Sequence, residues 1–225
     1  MSISEQTNDS FNIVGLKHPF KWVIIGPTCC GKTTLIKQIL SNSSLDFDHL
    51  YINVNDIDKY TYDKLSGKFP KITYGFELKN MDKEMRNLVI LEDETFSNIK
   101  EKGETIEQYL NQGVNKNISY IITVNCLRYI PKMTRLQFDY ISFFRSKYTE
   151  SEILSLKDIL NSPNNTISHI QNMFDELYKS STCSYSWILV DILNQQITIK
   201  KTPIDPELEE RKKRISDLFQ EMFDK

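Results

Sequence analysis

One glycine-rich segment constrains the fold of this chain more than any other feature: it reads Gly26-Pro27-Thr28-Cys29-Cys30-Gly31-Lys32-Thr33 and is followed by Thr34. The pattern G-x-x-x-x-G-K-T is the phosphate-binding P-loop, which requires a strand before it and a helix after it. Residues 21–25 form a short, mostly apolar run that suits a buried strand, and residues 34–40 have a helical pattern. The segment therefore predicts a strand–loop–helix unit that binds a nucleotide.

Each part of this loop has a physical role in holding phosphate. Gly26 and Gly31 let the backbone turn tightly and approach phosphate oxygens, because no Cβ stands in the way. Successive N–H groups of the loop and the positive end of the following helix bind the anion. Lys32 can reach the β- and γ-phosphates, and the Thr33 hydroxyl can ligate Mg²⁺. The loop thus predicts a nucleotide with Mg²⁺.

An acidic group follows the apolar run at residues 88–91 and consists of Glu92, Asp93 and Glu94. A P-loop needs a carboxylate on a neighbouring strand, which holds the Mg²⁺ shell and orients the attacking water. Two registers are open. Either Glu92 serves the metal and Asp93 the water, or Asp93 serves the metal and Glu94 the water. Asp93 takes part in both registers.

Composition limits the architecture and the compartment. The 225 residues suit one α/β domain, and the net charge of −2 indicates no global basic field for nucleic acid. We expect no membrane span and no signal peptide, since apolar runs are short and residues 1–10 are polar and acidic. The adjacent pair Cys29-Cys30 is unsuited to an unstrained disulfide. Four cysteines without metal or disulfide spacing indicate a reducing, intracellular compartment: Cys29, Cys30, Cys126 and Cys183.

The remaining pattern predicts an α/β fold with a mostly parallel central sheet flanked by helices. Runs that are apolar at every position suit parallel strands covered on both faces. Further strands are predicted at residues 50–54, 71–74, 88–91, 118–124 and 139–144. Helices are predicted after residue 74 through Arg86, and at residues 105–112, 150–160 and 166–178. Residues 187–192 and 196–200 alternate around a turn, which predicts a C-terminal β-hairpin.

Three parts of the chain are expected. Residues 1–17 form a flexible N-terminal arm, residues 18–203 form the P-loop domain, and residues 204–225 form an amphipathic C-terminal helix. The helix is predicted because Asp205 is a capping residue before a proline, and the apolar side chains that follow share one face. Packing on its own domain and contact with another subunit both remain open for this helix.

Polar and basic residues follow the predicted strand at 118–124. Asn125 stands at the strand tip, where an amide can hydrogen-bond the γ-phosphate or the lytic water, although a simple turn former is an equal alternative. Arg128 and Arg135 lie downstream, and an arginine supplied in trans can stabilise charge on a transferred phosphoryl group. On composition alone, a solvated surface explains the arginines better.

Residues 19–160 resemble the poxvirus-type genome-packaging ATPases, which belong to the FtsK/HerA division of P-loop motors and have relatives in large DNA viruses and virophages. Pro19-Phe20-Lys21, the P-loop and the acidic strand end carry part of the resemblance. The specific part is an amide, an arginine, a proline and an arginine before the last core strand: Asn125, Arg128, Pro131 and Arg135. The sequence departs from the family at Asn125 (usually glutamine), at Glu92 (usually aspartate) and in its paired cysteines.

The resemblance implies an ATP-hydrolysing motor that translocates viral double-stranded DNA into a preformed capsid, with ATP and Mg²⁺ as cofactors. It implies that Asn125 is a sensor and that Arg135 is a trans-acting finger within a homo-oligomeric ring, with Arg128 as the competing finger. The implied partners are the viral DNA and capsid or portal vertex proteins. The implied location is the host cytoplasm, a viral factory or the virion.

Other P-loop classes are distinguishable. A nucleotide or nucleoside kinase would use the arginine-rich stretch as a lid, and its turnover would need a small acceptor, whereas a motor would respond to DNA. A GTPase switch selects guanine with Asn-Lys-x-Asp, and the segment at 115–118 lacks that aspartate. A transporter ATPase is disfavoured because Lys68-Phe69-Pro70 follows Leu65-Ser66-Gly67 where its signature would continue with Gly-Gln.

Overall fold

The computed structural model describes the chain from residue 16 to residue 202 with gaps, in the ranges 16–42, 46–53, 62–63, 68–75, 81–92, 110–111, 117–160, 164–179 and 185–202. The predicted N-terminal arm, apart from residues 16 and 17, and the predicted C-terminal helix lie outside these ranges. So does most of the helix predicted at 105–112, of which residues 110 and 111 are described and helical.

The described strands form one mixed sheet. In chain order they are β1 Lys21–Ile25, β2 His49–Asn53, β3 Ile72–Tyr74, β4 Asn87–Leu91, β5 Ile118–Val124, β6 Tyr140–Phe144, β7 Tyr185–Asp191 and β8 Gln196–Thr202. Their order across the sheet is β3-β2-β4-β5-β1-β6-β7-β8. Strands β1 to β6 run parallel, while β7 is antiparallel to β6 and β8 is antiparallel to β7. The predicted mostly parallel sheet and C-terminal hairpin are confirmed.

Helices cover both faces of this sheet. They are α1 Lys32–Asn42, α2 Lys132–Arg135, α3 Glu150–Ile159 and α4 Ile167–Lys179, and a 3₁₀ turn spans Leu127–Tyr129. The start of α3 is fixed by a capping box, in which the Thr149 side chain accepts from the Glu152 N–H and the Glu152 carboxylate accepts from the Thr149 N–H. No helix among the described residues is both long and apolar enough to cross a membrane.

Side chains of each central strand alternate between two cores. On β1, Trp22 and Ile24 pack into the cluster that contains the apolar side of α1. Val23 and Ile25 pack into the opposite cluster, which contains apolar side chains of α3 and α4. All seven residues of β5 are buried. Burial on both faces explains why the parallel strands are apolar at nearly every position.

The charged helix predicted to run through Arg86 is wrong over residues 81–86, which form bends. The Asp82 carboxylate accepts a 2.9 Å hydrogen bond from the Glu84 N–H. The Asn87 amide donates to the carbonyls of Asp82 and Met85, at 2.7 and 2.9 Å. These side-chain bonds satisfy the backbone in a turn, so the charged residues do not continue a helix.

Candidate active site

The P-loop continues directly from β1 at the carboxyl edge of the sheet. The Gly26 N–H donates to the Val124 carbonyl at 3.1 Å, so the loop leaves the sheet beside the tip of β5. Cys29 and Gly31 both have positive φ, at 61° and 107°. This curled backbone ends in α1, where Leu35 N–H donates to the Gly31 carbonyl at 2.9 Å. The predicted strand–loop–helix unit is therefore present.

Gly26 is required by packing inside the protein as well as by access for a ligand. A Cβ at this position would lie 2.6 Å from the Cys30 Sγ and 2.8 Å from the Phe144 Cβ. Such distances do not occur between real atoms in contact, so the loop fits against β6 only with glycine here. The packing role of Cys30 and Phe144 was not predicted from the sequence. Cys29, Cys30 and Cys126 are thiols, as expected for the adjacent pair.

Lys32 joins the P-loop to the tip of β5. Its side chain is buried, and its Nζ donates to the carbonyls of Gly26 and Pro27, at 3.0 and 3.2 Å. The same Nζ donates to the Asn125 Oδ1 at 3.1 Å. The ammonium is thus held within the curve of the loop, where it can donate to the oxygens of a bound phosphate.

Thr33 and Glu92 form the second contact that crosses the site. The Thr33 Oγ1 donates to the Glu92 Oε1 at 2.6 Å, and Glu92 is 6% exposed. The Glu92 N–H donates to the Asn53 carbonyl at 3.1 Å, which extends β4 by one residue and fixes the base of this side chain. Of the three acidic candidates, Glu92 is brought to the P-loop, while Asp93 and Glu94 lie outside the described residues.

The contact between Lys32 and Asn125 follows from the position of β5 beside β1, and the contact between Thr33 and Glu92 reaches past β5 to β4. Residue 25 pairs with Val124, and Leu91 pairs with Ile122. Asn125 therefore follows its strand at the same edge as the P-loop and Glu92, and it is exposed there. The position of β5 beside β1 brings the Asn125 amide to Lys32.

The two arginine candidates have different surroundings. Arg128 is exposed, with its guanidinium carbon 5.4 Å from the centroid of the Tyr129 ring. Arg135 is half-buried and bonds its own chain: Nε donates to the Ile130 carbonyl at 2.9 Å, and Nη2 donates to the Leu127 carbonyl at 3.2 Å. Burial lowers the pKa of Arg135. The two guanidinium groups are therefore not equivalent, although the sequence presented them alike.

Glu152 is a site neighbour that the sequence analysis missed. Its Oε1 accepts a 3.5 Å hydrogen bond from the Cys126 Sγ, directly after Asn125. The pattern Thr149-x-x-Glu152 before an apolar helix is a sequence signal for the capping box. That signal locates the helix start but gives no sign that the same carboxylate reaches the segment after β5.

Comparison with solved structures finds the same fold in B204, the genome packaging NTPase of Sulfolobus turreted icosahedral virus 2. The B204 complex with AMPPCP aligns with a TM-score of 0.56 at 15% identity, over 84% of this chain and 100% of B204. The complex with ATP-gammaS gives 0.57 at 14% identity over the same shares. The chain has a P-loop NTPase fold. B204 of Sulfolobus turreted icosahedral virus, the DNA-packaging ATPase, gives a TM-score of 0.53 at 17% identity over 84% and 100% of the two chains.

No protein-family model and no curated protein matches the sequence. Support for nucleotide binding therefore comes from the side chains at the P-loop of this chain. Among the described residues, no group of three or more His, Cys, Asp or Glu could hold a metal. One hydroxyl and one carboxylate, Thr33 and Glu92, do meet at the loop. This set fits Mg²⁺, which binds through one or two protein oxygens and completes its shell with water and substrate phosphates.

Proposed function

We propose that this chain is an ATP-hydrolysing motor that translocates viral double-stranded DNA into a preformed capsid. The observation that carries the proposal is the meeting of Lys32 with Asn125 and of Thr33 with Glu92 at one edge of the sheet. The fold that forms this edge aligns with the whole length of the B204 chain, and B204 is a genome packaging NTPase. The proposal thus combines a site suited to phosphate chemistry with a P-loop NTPase fold in one chain.

In this proposal, residues 26–34 hold the phosphates of ATP, and Thr33 with Glu92 holds Mg²⁺. Bound Mg²⁺ would neutralise charge on the β- and γ-phosphate oxygens. The hydrogen bond between Thr33 and Glu92 supports the register in which Asp93 orients the attacking water. In the other register Asp93 would hold the metal and Glu94 would orient the water, and nothing in the described site favours it.

Lys32 would change partners when ATP binds. The carbonyls of Gly26 and Pro27 are neutral acceptors, so anionic phosphate oxygens can replace them with stronger hydrogen bonds to the ammonium. The Asn125 amide, already bonded to Lys32, would then be released toward the γ-phosphate or the water. This exchange would give Asn125 its sensor role, because its partner depends on whether the γ-phosphate is present.

A complete site would also need an arginine from the next subunit of a homo-oligomeric ring. Arg135 and Arg128 are the two candidates for this arginine. The exposure of Arg128 supports it as the group that reaches the neighbouring subunit. Capsid or portal vertex proteins are the proposed docking partners, in the host cytoplasm, a viral factory or the virion. A net charge of −2 is compatible with DNA binding, since a few phosphate contacts per ring need only one or two basic residues per subunit.

Steady-state ATP hydrolysis with and without double-stranded DNA, at several protein concentrations, tests this function. We expect DNA to stimulate hydrolysis, and we expect the specific activity to rise with concentration as subunits assemble. Lys32→Ala is the inactive control. A specific activity that changes neither with DNA nor with protein concentration would contradict the motor and favour the kinase. Nucleosides and nucleotides would then be screened as phosphoryl acceptors.

A further inference from the structure

The short turn that follows Asn125 is held from inside its own subunit. Leu127 and Ile130, at its two ends, are buried, whereas Arg128 and Tyr129 between them are exposed. The turn has its own backbone bonds, from Tyr129 N–H to the Cys126 carbonyl at 3.2 Å and from Ile130 N–H to the Leu127 carbonyl at 3.0 Å. A single 3₁₀ turn has poor hydrogen-bond geometry and needs outside support to keep one conformation.

Arg135 supplies that support from α2. Its guanidinium reaches back and donates to the carbonyls of Leu127 and Ile130, which are the two buried ends of the turn. A planar guanidinium can bond two carbonyls at once, and its charge strengthens both bonds. Arg135 could extend to another subunit only by giving up both contacts and exposing a half-buried side chain.

Glu152 supports the same segment from α3. One carboxylate oxygen accepts from the Cys126 Sγ, and the other accepts from the N–H and the hydroxyl of Thr149, both at 2.9 Å. Burial lowers the pKa of Arg135, and the negative charge of Glu152 opposes that lowering. The pKa of Arg128 is raised, first by its hydrogen bond to Tyr129 and least by Glu152. Side chains of α2 and α3 therefore both hydrogen-bond the segment between Asn125 and Ile130.

We propose that Arg135 is a positioning residue that fixes the 127–130 turn within its own subunit, and that Arg128 is the arginine this turn presents to the nucleotide of the next subunit. This inference rests on the proposed function, because it assumes a site completed between subunits. It departs from the role that the sequence resemblance implies for Arg135. The charge of Arg135 acts on backbone carbonyls, while the guanidinium of Arg128 is exposed on the turn that follows Asn125.

Hydrogen–deuterium exchange of the full chain, dilute and without nucleotide, separates the two roles. We expect Arg135→Ala to speed exchange of the Tyr129 and Ile130 amides by about tenfold or more, because two charge-assisted bonds are lost. Arg128→Ala should leave that exchange unchanged. Protection of β1 and β5 is the internal control for folding. In Arg135→Lys the ammonium can bond only one of the two carbonyls, so exchange should be intermediate. If the alanine variant does not fold, this lysine variant provides the test.

ATP turnover gives the second measurement. Arg128→Ala and Arg135→Ala should both lower kcat and leave the KM for ATP near that of the wild type, with Arg135→Lys recovering part of kcat. Wild-type exchange in Arg135→Ala together with lost turnover would overturn the inference, and so would full turnover by Arg128→Ala. A wild-type chain that does not respond to DNA would instead contradict the proposed function, and the exchange data would still report on Arg135.

Discussion

The hydroxyl of Thr33 lies 2.6 Å from a carboxylate oxygen of Glu92, so the start of α1 is bonded to the residue that follows β4. This contact forms even though β5 lies between β4 and β1, the strand that leads into α1. The contact joins residues that are far apart in the sequence and brings together two protein oxygens of the kind that Mg²⁺ binds.

Substitution of Glu92 by Gln should raise the Mg²⁺ concentration needed for half-maximal hydrolysis and lower kcat. The amide keeps a hydrogen bond to Thr33 but loses the charge that attracts the cation. Hydrolysis measured in a Mg²⁺ titration checks this. Glu92→Asp, which retains the charge on a side chain one methylene shorter, is the matched control and should lie between the two. An unchanged Mg²⁺ requirement in Glu92→Gln would remove Glu92 from the metal side.

Substitution of Gly26 by Ala should destabilise the loop and weaken ATP binding. The added Cβ conflicts with Cys30 and Phe144, and overpacking of this kind costs about 1–3 kcal/mol. Gly75→Ala is the matched control: its φ is +70° and nothing lies within 4 Å of the added atom, so it should cost about 1 kcal/mol and leave ATP affinity unchanged.

Thermal unfolding and ATP titration of both glycine variants separate strain from steric conflict. The double variant Gly26→Ala with Cys30→Ala should recover only part of the loss, because the conflict with Phe144 is still present. Equal effects of Gly26→Ala and Gly75→Ala on ATP binding would contradict the steric account of Gly26.

Substitution of Asn125 by Ala should lower kcat by about 100-fold while ATP binding changes little, which is the usual result of removing one group that stabilises the transition state. Asn117→Ala is the control at the opposite end of β5. Asn117 bonds His18 and the Met85 carbonyl, so its loss should reduce stability and leave kcat near that of the wild type. Single-turnover hydrolysis and a thermal melt check the pair. A kcat for Asn125→Ala close to the wild-type value would make Asn125 a turn former.

Acidification should destabilise the fold in part through His49. Burial first, and the positive charge of Lys71 second, lower the pKa of His49 to about 4 from an unfolded value of 6.5. Between pH 6.5 and pH 4, His49 binds a proton in the unfolded chain more readily than in the folded chain. The stability that neutral His49 confers is therefore complete above pH 6.5 and is lost as the pH falls toward 4. The His49 Nε2 forms a 2.8 Å hydrogen bond with the Thr73 hydroxyl. His49→Gln, whose amide can still bond Thr73, should lose less stability than the wild type between pH 7 and pH 5. Chemical denaturation at the two pH values measures the difference, and equal losses would contradict it.

Local patterns predicted the elements well. The runs around residues 21–25, 88–91 and 118–124 are apolar at nearly every position, and such runs identify parallel strands wherever they lie in the sheet. The P-loop motif fixed the loop itself because its glycines and lysine are required by phosphate chemistry. The helix predicted to run through Arg86 was wrong over residues 81–86 because Asp82 and Asn87 bond the backbone locally, and charge patterning does not report such bonds.

Long-range relationships were not available from the sequence. Nothing local to Asn125 shows that β5 enters between β1 and β4, although Asn125 owes its contact with Lys32 to that order. The register of the acidic residues was open for the same reason, since the position of Glu92 depends on its pairing with β2. The difference between Arg128 and Arg135 also arises only in the folded chain, where buried carbonyls lie within reach of one guanidinium and not the other.

Displacement of a third strand from a triplex on double-stranded DNA, followed in time with ATP and Mg²⁺, tests the central claim most directly. A translocating motor removes the third strand mechanically, whereas an enzyme that only hydrolyses ATP does not. The account predicts ATP-dependent displacement by the wild-type chain, none by Lys32→Ala, and little by Arg128→Ala. ATP hydrolysis by the assembled wild-type protein without any displacement would contradict it.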